Sequence, residues 1–281
     1  MKISNTAQAM AWLDNSLISA AAEEAVPAKK RFKAGWMVVA ACLCLALGST
    51  ALAVSLHLVN IRELDNANLR YSIEAQAENL PISAFAGAMM QELPEVFVRR
   101  FEADALDPYD PDNPAGKTPP ALVFLDFASA AEAADYIGLE ALTVPDWDYK
   151  QHSVKLLVAG DENGNIINVF LEGNYNTNGV GLVTGTNIHT ENCGPEPADF
   201  GWSVRYGGFD NSKGSFTQSS YTTANGTECV IIKLDAPGDG LTFMDCYLVN
   251  RGILYTLRLS YCEDKAAYAE TLMYQWADMF P

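Results

Sequence analysis

The chain has 281 residues, of which 49% are hydrophobic and 19% charged, and its formal net charge is −17. This apolar content is enough for a folded core, and the negative charge disfavours a role in binding nucleic acid. The cysteines and histidines do not have metal-ligand spacing, so neither a metal site nor a cofactor is predicted.

The first segment, residues 1–33, is predicted to be a short cytoplasmic helical tail. Apolar residues recur at roughly helical spacing between Ile3 and Glu24, and Pro27 ends the pattern. Such a helix so close to basic residues suits the inner leaflet or a cytoplasmic protein partner. A weakly ordered leader is the alternative.

Residues 34–57 are predicted to form a transmembrane helix. The run Gly35–Leu56 has no charged residue and, as a helix, covers roughly 33 Å, about the thickness of a bilayer core. A basic cluster precedes it and predicts a cytoplasmic N-terminus, with the C-terminal domain on the outer side: Lys29, Lys30, Arg31 and Lys33. Ala51-Leu52-Ala53 also resembles the cleavage site of a secretory signal, but the apolar run exceeds the roughly 7 to 15 residues of a signal core, which favours an anchor.

The part after residue 56 carries 13 of the 18 basic and 32 of the 35 acidic residues, a net charge of −19. This surface favours a cationic or cell-wall ligand outside the cell. A purely solubilising role for the charge is the alternative.

Two helices, Leu58–Leu80 and Ser83–Phe101, are predicted to form an extracytoplasmic helical stalk over residues 58–103. Residues 104–120 are rich in Pro and Asp and are predicted to be a linker. Their acidic residues do not follow the spacing of an EF-hand loop.

Residues 121–281 are predicted to be an α+β extracytoplasmic domain with an antiparallel sheet. Ala121–Phe127 has the character of a strand, and Ser129 with Glu132 forms a capping box that opens a helix ended by Gly138. A hairpin is predicted over Ser153–Ala159 and Ile166–Glu172. The further predicted elements are weaker strands at Gly179–Ile188, Trp202–Tyr206 and Ser215–Tyr221, a meander of Glu228–Leu234, Leu241–Val249 and Ile253–Tyr261, and a terminal helix from Glu263.

Four cysteines lie in the outer part, which suits disulfides or buried thiols. If Leu234 pairs with Leu241, the same register places Cys229 opposite Cys246, so these two are the first disulfide candidates. Cys193 and Cys262 are the less favoured pair.

The chain carries no recognised catalytic motif. Of its three histidines, His152 and His189 lie in the outer domain, and neither belongs to a known nucleophile signature. We therefore predict a protein that is not an enzyme and has no catalytic residue. Several aromatic side chains suit either a carbohydrate or peptide groove or the core: Trp147, Tyr149, Tyr175, Trp202, Tyr206 and Tyr221.

The tail AMAWLDNSLISAAAEEA, its basic patch and the apolar run resemble single-pass membrane proteins of Gram-positive gut bacteria. The matching tail residues are Ala9, Trp12, Leu13, Asp14, Leu17, Ile18 and Ala21. The outer domain resembles the opening of an uncharacterised extracytoplasmic domain at Ser129, Glu132, Ala133, Gly138, Leu139 and Pro145. Such proteins are often labelled anti-sigma factors or membrane sensors, so the resemblance implies a sigma factor as a cytoplasmic partner of residues 1–33.

These patterns together predict a non-enzymatic, membrane-anchored sensor or interaction protein of the bacterial cell membrane. The alternatives are a cell-envelope hydrolase acting on glycans or peptides and a structural envelope or adhesion protein. A convergent carboxylate pair in an aromatic cleft would favour the hydrolase.

Overall fold

The computed structural model describes residues 58–65, 68–104, 120–193, 199–205, 214–236 and 240–281. All of them belong to one compact unit, His57–Pro281. The predicted tail, transmembrane segment and most of the linker lie outside the described residues. No helix within the described ranges is long and apolar enough to cross a membrane.

An eight-stranded antiparallel sheet forms the centre of the unit. Its strands are β3 Ala121–Phe127, β4 Gln151–Gly160, β5 Ile166–Thr177, β6 Val180–His189, β8 Ser215–Thr222, β9 Glu228–Ala236, β10 Leu241–Asn250 and β11 Ile253–Cys262. Their spatial order is β3-β4-β5-β6-β11-β10-β9-β8, so β3 and β8 are its edges. The β-rich domain with a C-terminal helix confirms the α+β class.

Two-residue turns set the register of two strand pairs, β5 with β6 and β10 with β11. Asn178 and Gly179 connect β5 to β6, and Arg251 and Gly252 connect β10 to β11, all four with φ between 48° and 82°. Two residues with positive φ form the turn whose twist matches that of a hairpin. The predicted hairpin of β4 and β5 and the C-terminal meander of β9, β10 and β11 are confirmed.

Three helices cover one face of this sheet. They are α1 Met89–Asp104, α2 Ala130–Ile137 and α3 Ala266–Ala277. The side chain of Ser129 accepts from the Glu132 N–H at 3.1 Å, and Gly138 ends α2 with φ 65°, which confirms the predicted capping box and stop. The largest buried side chains of this layer include Trp276 and Phe280, whose rings lie 5.1 Å apart.

A three-stranded sheet covers part of the opposite face. It consists of β1 Val59–Asp65, β2 Arg70–Gln76 and β7 Asp199–Arg205, in the order β1-β2-β7. Tyr71, Ile73 and Ala75 of β2 point into a second apolar core, which they share with Val230, Tyr247 and Leu254 of the large sheet.

The helix predicted over Leu58–Leu80 is wrong. These residues form β1 and β2, and β2 alternates buried side chains with less buried ones at a period of two, as a half-buried strand does. The two strands belong to the same compact unit as the large sheet, so residues 58–103 are not a separate helical stalk. The second predicted helix corresponds to a 3₁₀ turn, Ile82–Ala84, followed by α1.

The predicted register between β9 and β10 is also wrong. Leu234 pairs with Phe243 rather than Leu241, so Cys229 faces Leu248 and Cys246 faces Ile231. Both cysteines still point into the helix-side core, because a shift of two residues preserves the side-chain face. No disulfide joins them: Cys229 and Cys246 are buried free thiols, and Cys193 and Cys262 are exposed free thiols.

Candidate functional site

A buried polar network lies where the two sheets meet. Asp245 of β10 has an exposed fraction of 1% and pairs directly with Arg258 of β11. Nε of Arg258 donates to Oδ1 of Asp245 and Nη2 donates to Oδ2, both at 2.8 Å. This two-pronged geometry is the strongest form of an ion pair with a carboxylate.

Two tyrosines complete the network. The hydroxyl of Tyr247 donates to Oδ2 of Asp245 at 3.2 Å, and Tyr71 of β2 donates to the same oxygen. The two hydroxyl oxygens lie 2.5 Å apart. A carboxylate removed from water needs such compensation, so the network holds β2 of the small sheet to β10 and β11 of the large one.

A groove opens beside this network on the face of the large sheet that carries no helices. Its volume is about 240 Å³. Four side chains from four strands form its apolar wall: Phe170, Val183, Val204 and Leu254. Its polar end includes Asn187, Asp245, Tyr247, Thr256 and Arg258, with Gly185 in the floor.

Small and apolar residues keep the groove open. A Cβ on Gly185 would lie 2.5 Å from Oγ1 of Thr256 and 3.3 Å from the Phe170 ring, so a larger residue there would fill the floor. The side chain of Arg258 is 41% exposed and directly opposite Val183, which places a guanidinium at the groove mouth. The groove therefore offers a pocket for one apolar group next to polar side chains.

The described part of the groove lining contains no pair of carboxyl groups. Among the lining residues that the structure describes, Asp245 is the one carboxylate, and Arg258 and the two tyrosines hold it as an ion-paired acceptor. General acid–base hydrolysis of a glycoside needs two carboxyl groups on either side of the bond.

Three of the six predicted aromatic residues come together elsewhere. Trp147, Tyr149 and Tyr175 pack edge to face, with ring centroids 5.5 to 5.7 Å apart, and they cover the helix-side core. Burial raises the pKa of Tyr149 to about 12. Tyr221 lies apart, against Tyr274, and its hydroxyl donates to Asp278 at 2.9 Å. The side chain of Trp202 and all of Tyr206 lie outside the described residues.

One contact between a cysteine and a histidine was not predicted from the sequence. Sγ of Cys193 lies 3.7 Å from Nδ1 of His189, across the short turn between β6 and the 3₁₀ helix Glu191–Cys193. Burial raises the pKa of Cys193 and lowers the pKa of His189, so both groups favour their neutral forms. A cysteine nucleophile acts as a thiolate, which this setting disfavours. The four-residue spacing between them was the only signal in the sequence.

Metal-ligand side chains do not cluster in the part of the chain that the structure describes. Within the described ranges, no group of three or more His, Cys, Asp or Glu side chains is placed to hold a metal ion. The orientation residues Lys29, Lys30, Arg31 and Lys33 lie outside those ranges.

No family model, curated protein or solved structure that was compared with this chain gives a match.

Proposed function

We propose that this protein is a non-enzymatic sensor or interaction protein, anchored in the bacterial cell membrane by residues 34–57, with its folded domain outside the cell. Its ligand is an extended, cationic peptide segment that inserts one large apolar side chain into the groove. Its cytoplasmic partner is a sigma factor that binds residues 1–33. The apolar run, the basic cluster and the resemblance to anti-sigma-like proteins support the membrane and cytoplasmic parts of this proposal.

The size of the groove supports a single side-chain anchor. Pockets that enclose whole small-molecule ligands usually measure about 300 to 1,000 Å³. The groove, at about 240 Å³, fits one aromatic or large aliphatic side chain instead. A buried aromatic anchor of this kind typically dominates the affinity of a protein interface.

The strand next to the groove supports an extended ligand. β7 is an edge of the three-stranded sheet as the described residues form it, and its Val204 lines the groove. An exposed strand edge offers main-chain donors and acceptors to a peptide that adds as a further strand. The net charge of −19 after residue 56 favours a basic peptide.

One observation carries the sensor proposal: the groove contacts the small sheet, whose first strand follows the predicted transmembrane segment in sequence. Val204 of β7 lines the groove, β7 pairs with β2, and β2 pairs with β1. β1 begins at Val59, two residues after the predicted transmembrane helix. A ligand that favours one position of β7 therefore biases the strand that leads into the membrane segment.

A binding experiment with a defined peptide tests the groove. The probe is a lysine-rich peptide with one central Trp, compared with the same peptide carrying Ala, and titrated against the full chain in lipid nanodiscs. Burial of the ring predicts that the Trp peptide binds roughly tenfold to a hundredfold more tightly. Val183→Phe, which fills the groove, should remove this preference, whereas Thr217→Phe on β8 should keep it. Equal binding of both peptides to the unmodified chain would refute the proposed ligand.

The same samples test the hydrolase alternative. Mass spectrometry after incubation should show the peptide intact, and cleavage would favour the hydrolase.

Affinity capture of the full chain from its native cells tests the cytoplasmic partner. We expect an RNA polymerase sigma factor to co-purify and to be lost when residues 1–33 are deleted. Its absence while the tail is intact would refute the regulatory part alone.

A further inference from the structure

We propose, on the basis of the peptide ligand proposed above, that Glu172 of β5 is a specificity-determining residue of the groove. Its carboxylate pairs with a lysine or arginine side chain that lies two positions from the apolar anchor of the ligand. The ligand is then a peptide with a basic residue at a defined place, rather than any basic segment.

Glu172 lies beside the floor of the groove. It is directly opposite Gly185 of β6, which is directly opposite Thr256 of β11, so Glu172 points to the same face of the sheet as these two lining residues. Phe170, two residues earlier on β5, forms the apolar wall on this side. Because Gly185 has no side chain, no side chain of β6 separates Glu172 from the floor at this position.

A hydrogen bond directs the carboxylate of Glu172 along its strand toward Asn174. Nδ2 of Asn174 donates to Oε1 of Glu172 at 2.8 Å. Asn174 is directly opposite Val183 of the groove wall, and Val183 is directly opposite Arg258. The carboxylate and the guanidinium therefore flank the groove from opposite sides, on strands that are two spacings, about 10 Å, apart.

The two carboxylates near the groove differ in their partners. The charge of Asp245 is matched by Arg258, whose guanidinium contacts both of its oxygens. Glu172 is half-buried and forms no ion pair with any basic residue that the structure describes. Lys155, directly opposite on β4, is exposed. Glu172 is therefore the carboxylate beside the groove that a ligand cation can match, through a charge-assisted hydrogen bond.

The surface continues past Glu172 in a second depression. Its volume is about 530 Å³, and its lining includes Ser153, Asn174 and Asn176. Since Asn174 is opposite Val183, an extended segment that leaves the groove toward this depression passes over the Glu172 carboxylate. Side chains two positions apart in such a segment point the same way, about 7 Å apart, and those one position apart point to opposite sides. The second residue from the anchor therefore faces Glu172.

Two peptides of equal charge test this position. Both have a central Trp in a Gly/Ser background, one with Lys two positions before and after it, the other with Lys one position before and after it. Each is titrated against the full chain in lipid nanodiscs. We expect the first peptide to bind about threefold to tenfold more tightly, because only its lysines face the sheet. Glu172→Gln should remove this preference, whereas Glu270→Gln at an exposed position of α3 removes an equal charge and should keep it.

A charge swap completes the series. Glu172→Lys should prefer a peptide with Glu at the two outer positions over the peptide with Lys there, and circular dichroism checks that each variant is folded. Equal affinity of the unmodified chain for the two lysine peptides would overturn the role of Glu172, as would a preference that Glu172→Gln keeps. Either result leaves the groove itself intact if the Trp peptide still binds more tightly than its Ala counterpart. Equal binding of the Trp and Ala peptides would instead refute the proposed ligand.

Discussion

Asp245 and Arg258 face each other across β10 and β11, and the guanidinium of Arg258 donates to both oxygens of the buried carboxylate at 2.8 Å. The pair lies between the part of the large sheet that the small sheet covers and the mouth of the groove. Asp245 has an exposed fraction of 1%, so its partners decide whether the carboxylate is tolerated in the interior.

Arg258→Met should therefore destabilise the protein strongly. The variant leaves the buried carboxylate of Asp245 without its cationic partner. The unfolding free energy should fall by about 3 to 5 kcal/mol. Urea unfolding followed by circular dichroism measures this. The control is Arg99→Met, which breaks an ion pair with Glu95 of the same length but with both side chains more than 70% exposed, and should cost less than about 1 kcal/mol. Equal losses in the two variants would contradict the structural role of Asp245.

The close approach of two backbones predicts a second stability effect. A Cβ on Gly87 would lie 2.0 Å from the Tyr136 carbonyl oxygen, because the Gly87 backbone packs against the end of α2. Gly226 has φ 87° but nothing within 4 Å of the added carbon. Gly226→Ala should cost about 1 kcal/mol from the positive φ alone. Gly87→Ala should cost more, on the order of 2 kcal/mol or above, since main-chain atoms must move. A Gly87→Ala thermal midpoint equal to that of the unmodified chain would contradict the packing.

Stability should fall at alkaline pH. Burial raises the pKa of Tyr255 to about 12 from a usual value of 10.0. The unfolded chain ionises this phenol above pH 10 while the folded chain keeps the proton, so its contribution is complete below pH 10 and is lost as the pH rises toward 12. The loss is on the order of 3 kcal/mol, since the pKa rises by about two. Unfolding free energies across this range measure it.

Tyr255→Phe provides the comparison for this pH dependence. The variant should be less stable at neutral pH, because Tyr255 donates to the Ala141 carbonyl and accepts from the Thr143 N–H, both at 3.3 Å. Its decline above pH 10 should be shallower without disappearing, since the pKa of Tyr261 is also raised to about 12. If the unfolding free energy of the variant falls with pH as steeply as that of the unmodified chain, Tyr255 does not contribute to the loss of stability above pH 10.

The length of each turn explains which parts of the fold were predictable from the sequence. Arg251 and Gly252 form a two-residue turn, which fixes Asn250 opposite Ile253 and therefore Asp245 opposite Arg258. The isolated charges in LTFMDCYLV and ILYTLRLSY were thus a usable signal for the buried pair. The loop between β9 and β10 is longer and does not fix the register, which is why the predicted Cys229–Cys246 alignment is wrong.

Tertiary context explains the other main error. The segment from Leu58 to Leu80 mixes charged residues with apolar ones such as Leu64, Leu69 and Ile73, a pattern compatible with a helix. In the structure Leu69 has φ 46° in the turn between β1 and β2, and the buried face of β2 exists only because β10 and β7 lie beside it. The groove could not be predicted, because its lining comes from five strands that are distant in sequence.

Thiol labelling tests both the disulfide and the orientation. A membrane-impermeant maleimide added to intact cells should modify Cys193 and Cys262, which are exposed, and leave the buried Cys229 and Cys246 unmodified. With Cys42 and Cys44 replaced by Ser, denaturation without reduction should then expose these two as free thiols. The variant with Cys193→Ser and Cys262→Ser controls for background. Failure to label intact cells, with labelling after lysis, would contradict the outer location. Loss of the two buried thiols would instead indicate the disulfide.

The groove as a contact site is the central claim, and photo-crosslinking in the native cell tests it most directly. The photoreactive residue p-benzoylphenylalanine replaces Val183 on the groove wall or, as the control, the exposed Thr217 of β8. Irradiation should give an adduct at position 183 alone, and sequencing of the attached fragment should identify a basic extracytoplasmic peptide segment. No adduct at position 183, or equal adducts at both positions, would contradict the account.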